Sequence, residues 1–406
     1  MPRPQMPRPA ATGSAVAGMT MVTVGAMTAN LASYLLHLPA SRWLGPAGYG
    51  EFASLLAAQL VLAVPALALQ TVVARETVHG SGAAELRRLG YRCAALAAVL
   101  AVGLVPVVAW ALDTSVAGTF GSLVTAPLLV LLAAEQGLLQ GRGRFAALSV
   151  VLAAAGVAKV APAVAVLAAG GGPGAALLAG AVGTGIVAAV AAMIVGRGDA
   201  APERDSPSTP GIGAVLRASQ VQLALIAMTS LDLLLARMVL DADAAGLYAL
   251  GAVATKVAFW LPQAVGVVLY PQMANPARSG AAVRSALTVL VGLGAVLVAG
   301  AALCAPLVPL LVGDAYAPVQ SLLWAFALQG ACLAVLQGGL LSAIASERTS
   351  LAGVAWIGLA VEAVLMTTVA STVQQFVAVA VAVAAVTAAV VAVLAVRAAG
   401  PAVRGA

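Results

Sequence analysis

The chain has 406 residues, of which 62% are hydrophobic and 8% are charged. With a mean hydropathy of +1.06, it cannot fold as a water-soluble globule, because it has too few polar residues to cover a surface. Its net charge of +6 does not indicate nucleic-acid binding, because the arginines are spread over alternating short loops and form no single patch. The composition therefore predicts a membrane protein that binds no nucleic acid.

About twelve long apolar runs follow one another along the chain. Roughly 20 apolar residues in a helix cross the ~30 Å hydrocarbon core of a bilayer. These runs are too long and too uniform for the strands of a membrane barrel, so helices must satisfy the backbone in lipid. The fold class is therefore an all-α polytopic membrane protein. We predict spans over residues 13–38, 50–74, 93–112, 123–140, 145–169, 174–195, 212–240, 246–270, 285–312, 319–344, 351–370 and 376–396.

Residues 196–211 form the longest polar stretch, GRGDAAPERDSPSTPG, and their composition predicts a flexible linker. This linker divides the chain into residues 1–195 and 212–406, with six predicted spans each. The pattern L-x5-G-x-[FY]-A occurs after the first span, from Leu44 to Ala53, and after the seventh, from Leu240 to Ala249. Its equivalent placement favours a duplication, and an even number of spans per half predicts parallel repeats with a cavity between two bundles.

Loop charges predict the orientation. One set of loops carries nearly all the arginines, whereas the alternate set carries Arg42 with Asp113, Asp241, Asp243 and Asp314. Because positive charge is retained in the cytoplasm, both termini are expected there.

Several charged residues fall inside predicted spans. Lys159, Lys256 and Glu362 lie near mid-membrane, Asp232 and Arg237 in the outer half of span seven, and Arg217 and Glu135 near the inner ends of their spans. A charge facing lipid at the bilayer centre costs at least ~2.5–3.5 kcal/mol, so we expect these side chains to face a watery cavity or each other. For Arg217, which is close to the membrane interface, snorkelling is the alternative.

Polar residues recur at helical spacing within three spans. The three stripes are Thr20, Thr23, Asn30 and His37; Ser219, Gln222, Thr229 and Asp232; and Lys256, Trp260 and Gln263. Such residues either line a cavity or form hydrogen bonds between helices. Glu135 and Glu362 are either proton or sodium sites or partners for the lysines, and the sequence leaves this open. Buried cations suit an anionic substrate such as a phosphate or diphosphate.

Catalytic and cofactor motifs are absent from the sequence. It contains no HExxH, GxSxG or Walker motif, and Cys93, Cys304 and Cys332 all fall in apolar runs. We therefore predict that the protein is no enzyme and binds no cofactor and no metal as a structural or catalytic centre.

Three segments resemble bacterial polysaccharide-biosynthesis flippases. They are residues 41–53 (SRWLGPAGYGEFA), residues 138–145 (LLQGRGRF), and Asp232 with residues 245–248 (AGLY) and 270–271 (YP). These motifs also mark the wider superfamily, which includes lipid II flippases and multidrug and toxin extrusion proteins.

The resemblance implies a V-shaped carrier of two six-helix bundles in the bacterial inner membrane. It would move undecaprenyl-diphosphate-linked oligosaccharide by alternating access, with H+ or Na+ as a coupling ion and glycan-assembly enzymes as partners. The implied substrate-binding residues are Lys256, Arg237, Lys159, Arg217, Asp232, Glu135, Gln263 and Asn30. The alternatives are a cation-coupled multidrug antiporter, a lipid II flippase, a glycan polymerase or ligase, and a scaffold without transport. Span one carries no charge, which distinguishes the chain from lipid II flippases.

Overall fold

Helices account for all the regular structure in the residues that the computed structural model describes, which are 11–196, 211–260, 279–345 and 351–399. The helices of the first half are α1 (Ala11–Leu62), α2 (Val64–Val78), α3 (Ala83–Ala111), α4 (Val116–Leu123), α5 (Thr125–Gly141), α6 (Phe145–Ala168) and α7 (Pro173–Gly196). Those of the second half are α8 (Ile212–Met228), α9 (Leu231–Val239), α10 (Ala242–Trp260), α11 (Ser279–Cys304), α12 (Val308–Val312), α13 (Leu323–Ala345), α14 (Leu351–Thr368) and α15 (Val373–Ala399). Two 3₁₀ segments, Ala305–Leu307 and Asp314–Leu322, flank α12.

Each predicted span has a counterpart among these helices. By length and hydropathy, eight of the described helices can cross a membrane, or nine when the bent pair α8–α9 counts as one span. The eight include Thr20–Val78, which holds the first two predicted spans in one stretch. The remaining counterparts are α10, whose description ends at Trp260, and the shorter apolar helix Gly353–Thr368. The all-helical fold class is confirmed, and these helices fit the predicted fold of a twelve-helix carrier.

The helices break at small residues that the hydropathy pattern does not register. Gly45 has φ 66° and ψ 177°, so it interrupts the helical path of α1 where the chain turns between the first two predicted spans. In span seven the chain bends by 40° between α8 and α9, and Ser230 lies at this break. Both breaks lie beside the boundary between the two halves.

Small residues allow neighbouring helices to approach closely. A Cβ on Gly156 would collide with Ala29, and one on Gly183 with the carbonyl of Ala158, so α6 packs tightly against both α1 and α7. This is the usual way to gain packing contacts in lipid, where apolar burial by itself drives no association. Valines and leucines on the outward faces stay exposed, as at Val182, and would contact acyl chains.

The two ends of the bundle differ in charge, and we call them the arginine side and the aspartate side. On the arginine side, Arg142 and Arg144 donate to the carbonyls of Val195 and Ile194 at 3.1 and 3.0 Å, where their charge complements the C-terminal dipole of α7. The aspartate side carries the exposed residues Asp113, Asp241, Asp243 and Asp314. Trp43, Trp110 and Trp324 are exposed near it, as aromatic residues are at a membrane interface.

The repeated motifs of the two halves meet on the aspartate side. A Cβ on Gly50 would lie 3.0 Å from the nitrogen of Gly246 and 3.4 Å from the carbonyl oxygen of Ala242. Reciprocally, a Cβ on Gly246 would collide with the carbonyl of Pro46, which occupies the position in the first motif that Ala242 occupies in the second. Each glycine thus lies against the backbone of the motif in the other half.

Candidate functional site

The chain contains two lysines, and the structure brings them together where the halves meet. Lys159 lies in α6 of the first half and Lys256 in α10 of the second, and their charges are close enough to interact. Both side chains are half-buried, so each keeps some accessible surface deep within the bundle. Two cations are costly in a membrane unless an anion or water reaches them. This pair is therefore the strongest candidate for contact with an anionic group.

His37 and Tyr34 complete a basic cluster beside the lysines. His37 is close enough to interact electrostatically with both Lys159 and Lys256. Its Nδ1 lies 2.8 Å from the hydroxyl of Tyr49, which is fully buried. The hydroxyl of Tyr34 donates to the backbone carbonyl of Lys256 at 3.3 Å, so α1 and α10 touch at this point. The cluster thus draws its groups from both halves.

The carboxylate of Asp232 lies next to this cluster and is enclosed by donors. It is 1% exposed and accepts hydrogen bonds from the Tyr248 hydroxyl at 2.8 Å, from Gln329 Nε2 at 3.0 Å and from the backbone N–H of Leu233 at 2.8 Å. The hydroxyl of Thr255 extends the network, because it lies 3.2 Å from Gln329 Oε1 as well as 2.9 Å from the carbonyl oxygen of Phe326, to which it can also donate. A ligand could reach Asp232 only if this network opened.

Glu362, in α14, is 2% exposed and close enough to Asp232 for their charges to interact. Lys256 in turn interacts with Asp232. The second half thus contributes two carboxylates and one lysine to the centre of the protein, whereas the first half contributes Lys159 and His37.

Arg237 lies at the outer end of span seven and contacts the other half of the chain. It lies near the end of α9 and donates to the carbonyls of Leu112 and Asp113 at 2.9 and 3.1 Å. These carbonyls follow α3, so the guanidinium joins the two halves on the aspartate side. Tyr316 makes a second link there, because its hydroxyl donates to the carbonyl of Ser41 at 3.1 Å. These contacts link the two halves at this end.

Glu135 forms an ion pair with Arg87. The sequence had left open whether Glu135 is a proton or sodium site or the partner of a lysine. Arg87 Nε and Nη2 donate to its two carboxylate oxygens at 2.8 and 2.9 Å, and Nη2 also donates to the carbonyl of Ala192 at 3.0 Å. The pairing arises because α3 begins at Ala83, ten residues before the predicted start of the span, and so brings Arg87 into the bundle. These contacts lie within the first half and hold α3, α5 and α7 together.

Replacing Glu135 with alanine should destabilise the fold by about 3 kcal/mol, because it leaves the Arg87 guanidinium without its partner in a largely buried position. Thermal unfolding in detergent measures the effect. The matched control is Arg75→Ala, which breaks an ion pair with Glu76 in which the arginine is 63% exposed. That change should cost less than about 1 kcal/mol. Equal losses in the two variants would contradict a structural role for the Arg87–Glu135 pair.

The other predicted site residues are less informative. Asn30 is exposed on α1, on the same helical face as Tyr34 and His37. Gln263 lies outside the described residues, and the described part of Arg217 is its backbone in α8. Sequence analysis placed His37 in a polar stripe without assigning it to the site, and it missed Tyr34. The spacing of Asn30, Tyr34 and His37 at i, i+4 and i+7 was the signal available for both.

No group of three or more His, Cys, Asp or Glu side chains that could hold a metal ion occurs in the part of the chain that the structure describes. Within that part, the arrangement offers cations, hydrogen-bond donors and a pair of carboxylates inside a helical bundle whose halves are linked at the aspartate side.

No family model and no curated protein matches the chain. Several solved structures, in contrast, are similar to the chain. A multidrug resistance MATE family transporter of the MOP superfamily, in an inward-facing conformation, is similar with a TM-score of 0.69 at 13% identity, over 95% of this chain and 100% of that one. The lipid II flippase MurJ, in an inward closed conformation, is similar with a TM-score of 0.71 at 10% identity, over 93% of this chain and 87% of that one.

A MOP superfamily transporter from Pyrococcus furiosus, described as having a binding pocket of reverse polarity that suggests a different function, is also similar. Its TM-score is 0.62 at 15% identity, over 95% of this chain and 96% of that one. The chain therefore has the fold of the MATE transporters and of MurJ, as the sequence resemblance implied. At these identities the similarity establishes the fold.

Proposed function

We propose that the protein is a flippase that moves undecaprenyl-diphosphate-linked oligosaccharide across the bacterial inner membrane by alternating access. The observation that carries the proposal is the pair of half-buried lysines, one from each half, at the centre of a transporter fold. A diphosphate carries the negative charge that two neighbouring ammonium groups would attract. The polyprenyl tail would remain in lipid while the polar head crosses the cavity.

The cluster divides the binding of the head group between the two halves. Lys159 and His37 would hold it from the first half, and Lys256 from the second, so the diphosphate would bridge the bundles. A ligand biases a carrier only if its affinity differs between the two conformations. Bridging supplies this difference, because both lysines can contact one diphosphate only while they lie close together. Asn30, on the same face of α1 as His37, would contact the sugars.

The orientation of the carrier follows from the charges of its two ends. If the arginine side is cytoplasmic, as positive charge predicts, both termini are also cytoplasmic. Arg237 and Tyr316 would then link the two halves at the periplasmic end. Arg237 would therefore help to open and close the carrier. The family resemblance implied instead that Arg237 binds the substrate. Energy would come from the membrane potential or from an H+ or Na+ gradient, with Asp232 and Glu362 as the acidic groups nearest the lysines.

Two related functions are compatible with the fold, namely lipid II transport and cation-coupled drug export. The lysine pair favours an anionic substrate and therefore argues against a cationic drug. Lipid II also carries a diphosphate, so the lysine pair cannot distinguish a lipid II flippase from a flippase for other lipid-linked glycans. Transport measurements on defined substrates can make that distinction.

The test is transport in proteoliposomes that contain the purified protein and a fluorescent polyprenyl-diphosphate oligosaccharide. Translocation exposes the label to a membrane-impermeant quencher or to a glycosidase on the far side. We expect protein-dependent translocation of the diphosphate lipid and little translocation of a matched neutral polyprenyl glycoside. A fluorescent drug cation and lipid II, each tested in parallel, discriminate the alternatives. Transport of the drug cation without transport of either lipid would overturn the proposal.

A further inference from the structure

An apolar groove runs along one side of the boundary between the halves. It has a volume of about 380 Å³ and is lined by α1, α2, α3 and α4 of the first half and by α8 and α9 of the second half. Leu62, Leu100, Leu104, Leu216 and Leu223 are among its walls, and Ser219 and Gln220 are polar residues that also line it. Among the side chains that the structure describes, none of those lining the groove is charged. Its volume falls within the range of small-ligand pockets, but its walls offer little to a polar molecule.

The groove extends along the length of the spans. Cys93 and Ile212 line it towards the arginine side, whereas Leu123 and Leu234 line it towards the aspartate side. Leu100 and Leu216 in its walls are 47% and 42% exposed, so they can contact a molecule that lies in the groove. An extended hydrocarbon chain fits such a shape.

The two sides of the boundary are not equivalent. α1 contacts α10 and α2 contacts α8, and the duplication that the sequence favours would make these two contacts equivalent, because it relates span one to span seven and span two to span eight. On the α1–α10 side, Tyr34 donates a hydrogen bond to the carbonyl of Lys256 and ties the halves together. On the α2–α8 side the apolar groove takes the place of such a bond.

We propose that the isoprenoid tail of the substrate lies in the groove between α2, α3 and α8 while its diphosphate head binds the lysines. The inference rests on the proposed function, because it assigns the path of the tail of that same substrate. A lipid-linked head group at the centre needs a lateral route for its tail, and the α1–α10 side is bridged. The α2–α8 side is open to an apolar chain along most of the membrane.

A polyprenyl-diphosphate disaccharide with a diazirine in its isoprenoid chain tests the proposal. After illumination of proteoliposomes, mass spectrometry identifies the labelled peptides, and an excess of unlabelled polyprenyl diphosphate identifies the specific ones. We expect competed labelling of α2, α3 and α8. A diazirine phospholipid is the control for ordinary acyl chains, and equal labelling by both probes without competition would mean that the groove holds bulk lipid, which overturns the inference.

Two variants test the groove by transport. Leu100→Trp and Leu216→Trp fill it at exposed positions, and we expect each to raise the apparent KM for the diphosphate lipid at least fivefold. The matched control is Val291→Trp, at a 58% exposed position in a separate apolar groove between α11, α13 and α15. If transport is intact and competed label appears on α1 and α10, the tail assignment is wrong and the flippase function stands. If the purified protein transports no lipid-linked glycan at all, the proposed function itself is wrong.

Discussion

Replacing Lys256 or Lys159 with methionine should reduce transport of a diphosphate-linked substrate by about 10–100-fold. Methionine keeps much of the length and apolar character of the lysine side chain but removes the ammonium, so the change deletes a charge-assisted contact of about 1.5–3 kcal/mol. Removing both lysines should abolish measurable translocation. The arginine variants should retain part of the activity, since they keep the charge but change its geometry.

The control for these variants is Arg88→Met, which removes an exposed cation of α3 on the arginine side. It changes the net charge by the same amount without touching the cluster, so transport should stay within about twofold of the original protein. Thermal unfolding of each variant establishes that the fold is retained. A Lys159→Met/Lys256→Met protein that folds and transports at the original rate would show that the lysines do not bind the substrate.

Replacing Gly246 with alanine should prevent the aspartate side from closing. The new Cβ would collide with the backbone carbonyl of Pro46, which cannot move aside as a flexible side chain would. Each 1.4 kcal/mol of this strain shifts the conformational equilibrium about tenfold. We expect the carrier to favour the conformation open at this end and to lose most of its transport.

Spin labels at Asp113→Cys and Asp241→Cys measure the opening, because these exposed residues lie on opposite halves of the aspartate side. The native cysteines are replaced first. In Gly246→Ala the distance distribution should shift to longer values. Gly300→Ala is the matched control, because a Cβ there meets no atom within 4 Å, and it should leave both distance and transport unchanged. A Gly246→Ala protein with the original distances and full transport would contradict the proposed closure.

The sequence predicted the helices well because lipid leaves the backbone few choices. A run of apolar residues must form a helix in the membrane whatever its local propensity, as in the Ala- and Val-rich α15. The bends were not predictable in the same way. Gly45 and Ser230 interrupt helices within or beside apolar sequence, and hydropathy does not register a single residue with non-helical dihedral angles.

The site was predictable only in its charged residues. Lys159 and Lys256 were identifiable because charge is expensive inside a membrane. Their partners depend on contacts between distant parts of the chain, such as Tyr34 with Lys256, which no spacing within one helix encodes. Glu135 illustrates the same limit. Its environment depends on where α3 begins, and the polar start of that helix hid the arginine that pairs with it.

The scarcity of lysine makes this protein unusually easy to study by chemical labelling. Its two ε-amino groups both lie at the centre of the bundle, whereas every other permanently cationic side chain is an arginine that amine reagents ignore. A membrane-impermeant acylating reagent added to one face of sealed vesicles would therefore report from which side the lysines can be reached, and ¹³C-methylated lysines would give NMR signals from the proposed substrate site alone.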